Sequence, residues 1–506
     1  MSTTDYTQWS SVGQYLGSDR PSWVPEEDLA RIAAYTKYDQ IYWNDPRQFA
    51  LRVLEGEQPL YIPNARIIVD TTAHYVLKGL NIVAEGSGTI KDALESFLAR
   101  EEFYSRFHTA KLSGVARGDF FFHLTGNPSK KVGTRLSLNS VDPSSVFPIW
   151  DEDQPDKMVG CHIAVQYYLP EEPNTVRVRR LTYRLHEESG SRRVSRQEGI
   201  YELEPRWYAK EPKLIKSLIP FGYLDDRITA IPVYHFKNRA WDGEDFGTSE
   251  LRGLESLIQM VSQGSTDVSA SLSLEGLGVY ATDGGRPVDD DGNEVDWEVS
   301  PGRVMEVSQG SYFRRVEGVG SITPATDQID YLERKLLTSS SLTDVALGTV
   351  DAQVAQSGIA LAIRFMPTLA KVEQRDLAGL SKLRQLFYDW QTWHAVFEQE
   401  LLNGQVIPEV GDKLPMDRNA RVNELNNMID RRVISSKYYR QEMEKLGYSF
   451  PEGLEEEILG DIKRAQAFST PQTPPGEETS TEGDTLERQN SSNNRERPNE
   501  SSGTEA

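Results

Sequence analysis

Few stretches of this chain of 506 residues carry side chains at spacings that could do chemistry, and each has a plainer reading. Pro287–Glu298 (PVDDDGNEVDWE) places Asp289, Asp291, Gly292 and Glu298 where an EF-hand loop has its third, fifth, sixth and twelfth residues. Pro287 stands first and supplies no side-chain oxygen, and the flanks read as strands. A β-hairpin whose Asp-Gly turn needs a positive φ accounts for the same residues, so no metal is expected there. The seven histidines form no H-x-x-x-H pair, and Cys161 is the only cysteine, which excludes an internal disulfide and a thiolate zinc cage. No G-x-x-x-x-G-K-[ST] loop or G-x-S-x-G elbow occurs, against an ATPase motor and a serine hydrolase. Gly86-Ser87-Gly88 is a lone glycine pair in a turn. With no nucleophile, base and stabiliser set in view, neither enzymatic activity nor a cofactor is expected.

Charge narrows the partners. Lys and Arg number 55 against 77 Asp and Glu, a net −22, the wrong sign for a chain that grips DNA by neutralising phosphates. Basic residues gather only in small clusters, Arg177, Arg179, Arg180 and Arg192, Arg193. The alternation in VRVRRLTYRL assigns these to the solvent side of a hairpin. No apolar run approaches the eighteen or so residues that span a bilayer. The first twenty residues lack a basic and an apolar region, so no secretory signal is expected and synthesis would be cytoplasmic.

Two helical patterns dominate the elements. The longer follows a polar segment rich in Gly, Gln and Ser and runs from about Ser357 to Leu402. Apolar residues recur at Ile363, Met366, Leu369, Val372, Leu377, Leu380, Leu383, Leu386, Trp390, Trp393, Phe397 and Leu401, mostly three or four apart. That predicts a rod of roughly 45 residues, about 65 Å long. Pro367 lies inside it, lacks an amide hydrogen and predicts a kink. Trp390 and Trp393 continue the apolar stripe and read as core. The shorter pattern, Thr248–Leu272, repeats Leu251, Leu254, Ile258, Val261, Ser265, Val268 and Leu272 as a narrow seam. An ordinary amphipathic surface helix fits this pattern equally well. Gly264 and several serines lower its propensity, so support from neighbouring subunits is expected.

The polar loop, the following SG-A-L segment and the proline-bearing helix together resemble the portal proteins of tailed double-stranded DNA bacteriophages, of the siphophage type. Three upstream segments match in order: NARIIVDTTAHYVLKGLNIV (Asn64–Val83), LNSVDPSSVFPIWDED (Leu138–Asp153), and IPVYHFKNRA (Ile231–Ala240) leading into FGTSELRGLESLIQMVSQGSTDVS. The resemblance covers most of Pro25–Gly460. It implies an α+β portal architecture assembled as a ring of about twelve subunits.

The expected parts run in sequence. A mobile arm (1–24) precedes an α+β wing (25–244), in which helices cover Pro25 onward, Ala65–Lys78 capped by Gly79, and Ile90–His108, followed by short strands to Tyr234. Stem helix one (245–272), a small β-containing clip (273–323) and stem helix two (324–342) come next. A tunnel loop (343–357), the long kinked helix (358–403), a helical crown (404–466) and a tail (467–506) complete the chain. The tail holds eight acidic and three basic residues and few large apolar ones, a disordered composition.

The resemblance also implies roles. Asp344, Gly348, Asp351, Gln353 and Gln356 would face DNA in the channel. Small residues there allow backbone movement, neutral amides hydrogen-bond, and Asp344 and Asp351 repel phosphates. Pro367 would bend the helix behind them. Arg286, Asp289, Asp290 and Asp291, at or near the clip turn, would meet docking partners. Those implied are terminase, the major capsid and scaffolding proteins, a head–tail adaptor, and double-stranded DNA passing with low affinity, at a virion vertex and with no membrane. Another head–tail structural protein and a cytosolic α+β enzyme are the alternatives.

Overall fold

The computed structural model describes residues 9–11, 26–53, 58–154, 157–169, 172–188, 190–202, 213–277, 279–286, 292–294, 310–316, 322–348, 358–411, 413, 418–448, 450, 454 and 458–461. Two units are distinguished, divided between Pro415 and Met416. The expected tail lies outside the described residues.

The larger unit is mixed α+β. Its elements are β1 (Trp9–Ser11), α1 (Glu26–Tyr42), α2 (Asn64–Leu77), β2 (Leu80–Gly86), α3 (Gly88–Arg100), α4 (Phe103–Arg117), β3 (Asp119–Gly126), β4 (Leu136–Val141) and β5 (Val146–Trp150). Then come β6 (Met158–Leu169), β7 (Glu172–Glu188), β8 (Ser191–Glu202), β9 (Lys213–Tyr223) and β10 (Val233–Lys237). They are followed by α5 (Glu255–Leu277), β11 (Val279–Thr282), β12 (Phe313–Val316), α6 (Thr323–Ser339), α7 (Asp344–Leu347), α8 (Gly358–Phe397) and β13 (Gly404–Val410).

β3 sits at the centre because its FFFHL run is buried on both faces. Phe120, Phe122 and Leu124 turn toward α3, α4 and α8, where they meet Phe103, Phe107, Leu386, Phe387, Trp390 and Trp393. Phe121 turns the other way, toward Cys161, Tyr183 and Val194 of the large sheet. The small sheet, ordered β10-β3-β4, is therefore filled from both sides, as an unbroken apolar strand requires. The large antiparallel sheet runs β1-β6-β7-β8-β9, with β5 also on β6.

Several expectations need correction. The predicted helix Ile90–His108 is two helices, α3 and α4, separated at Glu101 and Glu102. Glu102 adopts a left-handed φ of 48°, while the buried Glu101 carboxylate accepts from the Leu138 amide at 3.0 Å. Helix propensity is overridden there by a distant backbone donor. Residues 404–410, expected in the crown, form β13 and pair with β2 from Gly404↔Gly86 to Val410↔Leu80. Trp9–Ser11, expected in a mobile arm, pair with β6. Of the arginines expected on a solvent face, Arg177 is buried, Arg179 pairs with Glu198 and Arg180 stacks 4.4 Å from the Tyr201 ring centroid. Arg192 and Arg193 are exposed as expected.

The smaller unit contains α9 (Arg418–Asp430) and α10 (Ser436–Lys445), joined by Arg421 to Glu442 at 3.4 Å and by Tyr439 to Asn426 at 2.7 Å. Ser435 caps α10 by accepting from the Tyr438 amide.

Candidate functional site

The site is built around α8. At 40 residues it is about 60 Å long and continues through Pro367. Pro367 and Ile363 are both exposed, so the hydrogen bond that the proline removes lies on the outer side of the helix. The second half of α8 lies in the core of the larger unit: Leu383, Leu386, Phe387, Trp390 and Trp393 are all buried. Ile363, Met366, Leu377 and Leu401 were read into the same stripe but are exposed, Leu377 to 74%.

One turn beyond Pro367, Lys371 reaches three partners on three other elements. Its Nζ lies 2.6 Å from Glu250 Oε1, and donates to Ser340 O at 2.6 Å and Thr72 Oγ1 at 3.0 Å. Arg375, one turn later, pairs with the other Glu250 oxygen and donates to Lys371 O at 2.6 Å. Glu250 precedes α5, and Ser340 is the C-cap of α6. The start of α5 and the end of α6 are thus fixed to one turn of α8. Burial alone would raise the Glu250 carboxyl, but Lys371 and Arg375 outweigh it and hold the group below the usual carboxylate range. Asp376 continues the network to Lys413, 3.2 Å away, whose Nζ also donates to Val76 O and Lys78 O on α2 and its cap.

The helix expected from Thr248 starts later: residues 250–254 form turns, and α5 begins at Glu255. Of the seam, Leu251, Leu254, Ile258 and Val261 are buried, Ser265 and Val268 are half-buried, and Leu272 is exposed. The chain itself fills the inner half. Leu251, Leu254 and Ile258 join a core with α1 and α2, and Ser262, Gln263 and Thr266 accept from the amides of Ile62, Arg52 and Leu60. Gly264 faces α6, where an added Cβ would sit 3.0 Å from Ile329, so the glycine permits the close approach of the two helices.

α5 and α6 flank the short ladder expected as a clip. β11 and β12 pair antiparallel from Val279↔Val316 to Thr282↔Phe313, and Asp283 accepts from the Tyr312 amide at 2.7 Å. Arg286 is exposed, and Gly292 has the positive φ, 84°, that an Asp-Gly turn needs. Asp289, Asp290 and Asp291 lie outside the described residues.

The expected tunnel loop starts as a helical turn instead of an open loop. Thr343 caps α7, and Gly348 closes it at φ 77°. Asp344 is exposed in its first turn. Thr343 Oγ1 lies 3.3 Å from Thr368 Oγ1, Thr368 donates to Ser341 O, and Tyr75 donates to Ala346 O at 3.2 Å. The root is therefore tied to α8 directly beside Pro367. Asp351, Gln353 and Gln356 lie outside the described residues.

Charge relays suggestive of catalysis prove to be enclosed. Asp119 accepts from Tyr35 (2.5 Å), His235 (2.6 Å) and the Gly247 amide (2.6 Å), and all three side chains are buried. His235 stacks on Phe121, and burial lowers its pKa despite Asp119. Cys161 is buried, and its thiol is pushed up by that burial. Among the described residues no group of three or more His, Cys, Asp or Glu could hold a metal ion. No helix among them is long and apolar enough to cross a membrane.

Sequence reasoning missed the Glu250–Lys371–Arg375 network. Its signal was present: Lys371, Arg375 and Asp376 interrupt an otherwise apolar face of α8, and buried charges are retained where they are paired.

No protein-family model and no curated protein matches the chain. Among solved structures it is similar to a chain described as "Virion of native gene transfer agent (GTA) particle". That match has 12% identity and TM-score 0.43, and covers 87% of this chain and 100% of that one. A chain of the neck of the native GTA particle computed with C12 symmetry matches at 11% identity and TM-score 0.42, over 87% of this chain and 98% of that one. A chain of the neck of the empty particle computed with C6 symmetry gives 12%, 0.42, 87% and 98%.

Proposed function

We propose that this chain is a structural protein of a phage-type virion, and within that class the portal subunit. About twelve copies would form a ring at one capsid vertex, through which double-stranded DNA is packaged and later ejected. The observation that carries the reading is the arrangement at Lys371. Two stem helices leave the wing and return to it at Glu250 and Ser340, and both roots are pinned to the long helix one turn after its proline. The segment 349–357 leaves from α7, which is braced on that same turn through Thr343 and Thr368. A polymer guide needs such a lever: a rigid outer body, a projecting helix pair with a small end unit, and a channel segment rooted where the two meet.

The net charge of −22 fits a conduit that lets DNA slide, because few phosphates would be neutralised along the way. The ring would have no nucleotide hydrolysis of its own and would serve as the dock for a separate terminase and then for an adaptor. Capsid and scaffolding proteins would surround the wing. Electron microscopy of the purified full-length chain tests this directly. Closed rings with a central channel are expected; a monodisperse monomer or dimer under assembly conditions would refute the reading.

A further inference from the structure

The turn that joins α6 to α7 is held by α8 at three successive points. Lys371 Nζ donates to Ser340 O at 2.6 Å, Thr368 Oγ1 donates to Ser341 O at 3.1 Å, and Thr343 Oγ1 lies 3.3 Å from Thr368 Oγ1. Thr368 is fully buried. The proton positions follow from the partners. A carbonyl can only accept, so the single Thr368 proton goes to Ser341 O, and Thr343 must donate to Thr368. Thr343 Oγ1 keeps its lone pairs for the Ala346 amide, which it caps at 3.4 Å. One directed chain of hydroxyls thus runs from the cap of α7, through α8, to the end of α6.

The backbone of the same turn is held in a conformation that its residue does not favour. Ser341 has a φ of 55°, in the left-handed region, at the place just past a helix end where glycine is usual. Its amide donates to Thr338 O and that of Leu342 to Leu337 O, both at 3.0 Å, which closes α6. A serine pays a steric cost there that a glycine does not, and such a conformation persists where its surroundings fix it. The Thr368 bond to Ser341 O is one such restraint. The burial of Leu342 in one core with Leu336 is another.

We propose that residues 340–343 and Thr368 form a hydroxyl latch that couples the end of α6 to the segment leaving α7. Closed, it holds Ser341 left-handed and α7 capped. Open, Ser341 relaxes to an ordinary φ and the cap loosens with it. α5 and α6 flank β11 and β12, so a displacement of that helix pair reaches residues 349–357 through this turn. The use made of the coupling rests on the portal reading, in which those residues face the channel. Thr368 is then a positioning residue, which acts on that segment through Thr343.

Hydrogen exchange of the full chain tests the latch, read over residues 338–342 and 343–348. Thr368→Val keeps the branched shape and removes the hydroxyl. It is expected to raise exchange in 343–348 by about tenfold while β3 keeps its protection. Thr368→Ser, which retains the hydroxyl, is expected to exchange as the parent does. Leu336→Ala loosens the end of α6 from its core side and is expected to raise exchange in both segments. Once Thr368→Val is present, it should add less than about twofold in 343–348, because a latch already open cannot be opened again. Unchanged exchange in 343–348 for Thr368→Val overturns the proposal. So does full additivity of the two variants, or a Leu336→Ala effect confined to 338–342. Exchange is read on rings and free subunits alike, so failure of the portal reading and failure of the latch are separate results.

Discussion

Lys371 Nζ and Glu250 Oε1 stand 2.6 Å apart, although they lie 121 positions apart in the chain, and both side chains are more than nine-tenths buried. One carboxylate just before α5 thus receives two cations from successive turns of α8. The geometry couples any tilt of the long helix near Pro367 to the start of α5, because the pair can neither be hydrated nor re-formed elsewhere without loss. Removing one member of such a pair leaves a buried charge uncompensated.

Lys371→Met is therefore expected to cost about 3–5 kcal/mol in denaturant unfolding. The double variant Glu250→Gln with Lys371→Met should cost less than the sum of the two single changes, because the two sites share one interaction. A loss below about 1 kcal/mol for Lys371→Met would mean that the hub is hydrated and does not hold the helix.

Asp389 on α8 offers a pH signature of the core around that helix. Burial pushes its carboxyl up from 3.8 to about 6, although Tyr234 donates to it at 2.9 Å. The folded state therefore takes up a proton near pH 6 that the unfolded chain takes up only near pH 4, and this group's contribution to stability rises as pH falls between those values. Asp389→Asn keeps an acceptor for Tyr234 and removes the titration. It is expected to stabilise by about 1–3 kcal/mol above pH 7 and by little at pH 4. Parallel unfolding midpoints for the two proteins across pH 4–8 would contradict the assignment.

Legibility in the sequence followed the range of the interaction. The period of three and four identified Val372, Leu383, Leu386, Trp390 and Trp393 as core because a helix face is a local property. It could not tell that Ile363, Met366 and Leu377 had drifted off that face, since steps of three and four both occur on either side of a stripe. Glu250, Lys371 and Arg375 escaped notice because charge in a helix reads as solvent-facing until a distant partner is known. β13 was misplaced for a related reason. QVIPEV alternates as a strand, but its partner β2 lies some 320 residues earlier, and position after the long helix suggested a crown instead. Of the channel and clip residues, Asp344, Gly348 and Arg286 have places in the structure, whereas the rest rest on sequence alone.

Under the portal reading, the β11–β12 unit yields a separable phenotype. β11 and β12 form a short ladder between α5 and α6, and Arg286 lies exposed beyond it. Converting Asp289, Asp290 and Asp291 together to lysine is expected to leave rings intact in electron microscopy and to weaken binding of terminase or adaptor by tenfold or more, about 1.4 kcal/mol. Loss of rings with a folded chain would place these residues in a subunit interface instead.

Pro367→Ala restores an amide donor to Ile363 O and removes the ring from the preceding turn. Because the position is exposed, no core cavity results, and thermal stability should be unchanged or slightly higher. Under the portal reading, a stiffer first third of α8 should slow DNA packaging while assembly proceeds normally. Equal packaging by variant and parent in a terminase-driven assay would remove the proline from the mechanism.

The last prediction concerns the segment that α7 launches. Thr343, Thr368 and Tyr75 fix its root, so a charge change in residues 349–357 should leave that anchorage undisturbed. Under the portal reading, Asp351, Gln353 and Gln356 would meet passing DNA with neutral or repulsive groups. Changing all three to lysine places three new cations per subunit beside the phosphates, and a ring multiplies that number. DNA retention should then appear at low salt and fall steeply as salt rises, because each phosphate contact releases counterions. Translocation should slow over the same salt range. Retention measured by filter binding at two salt concentrations, alongside packaged DNA length, separates the possibilities. A solvent loop with no channel role predicts no retention and full-length packaging from the triple variant.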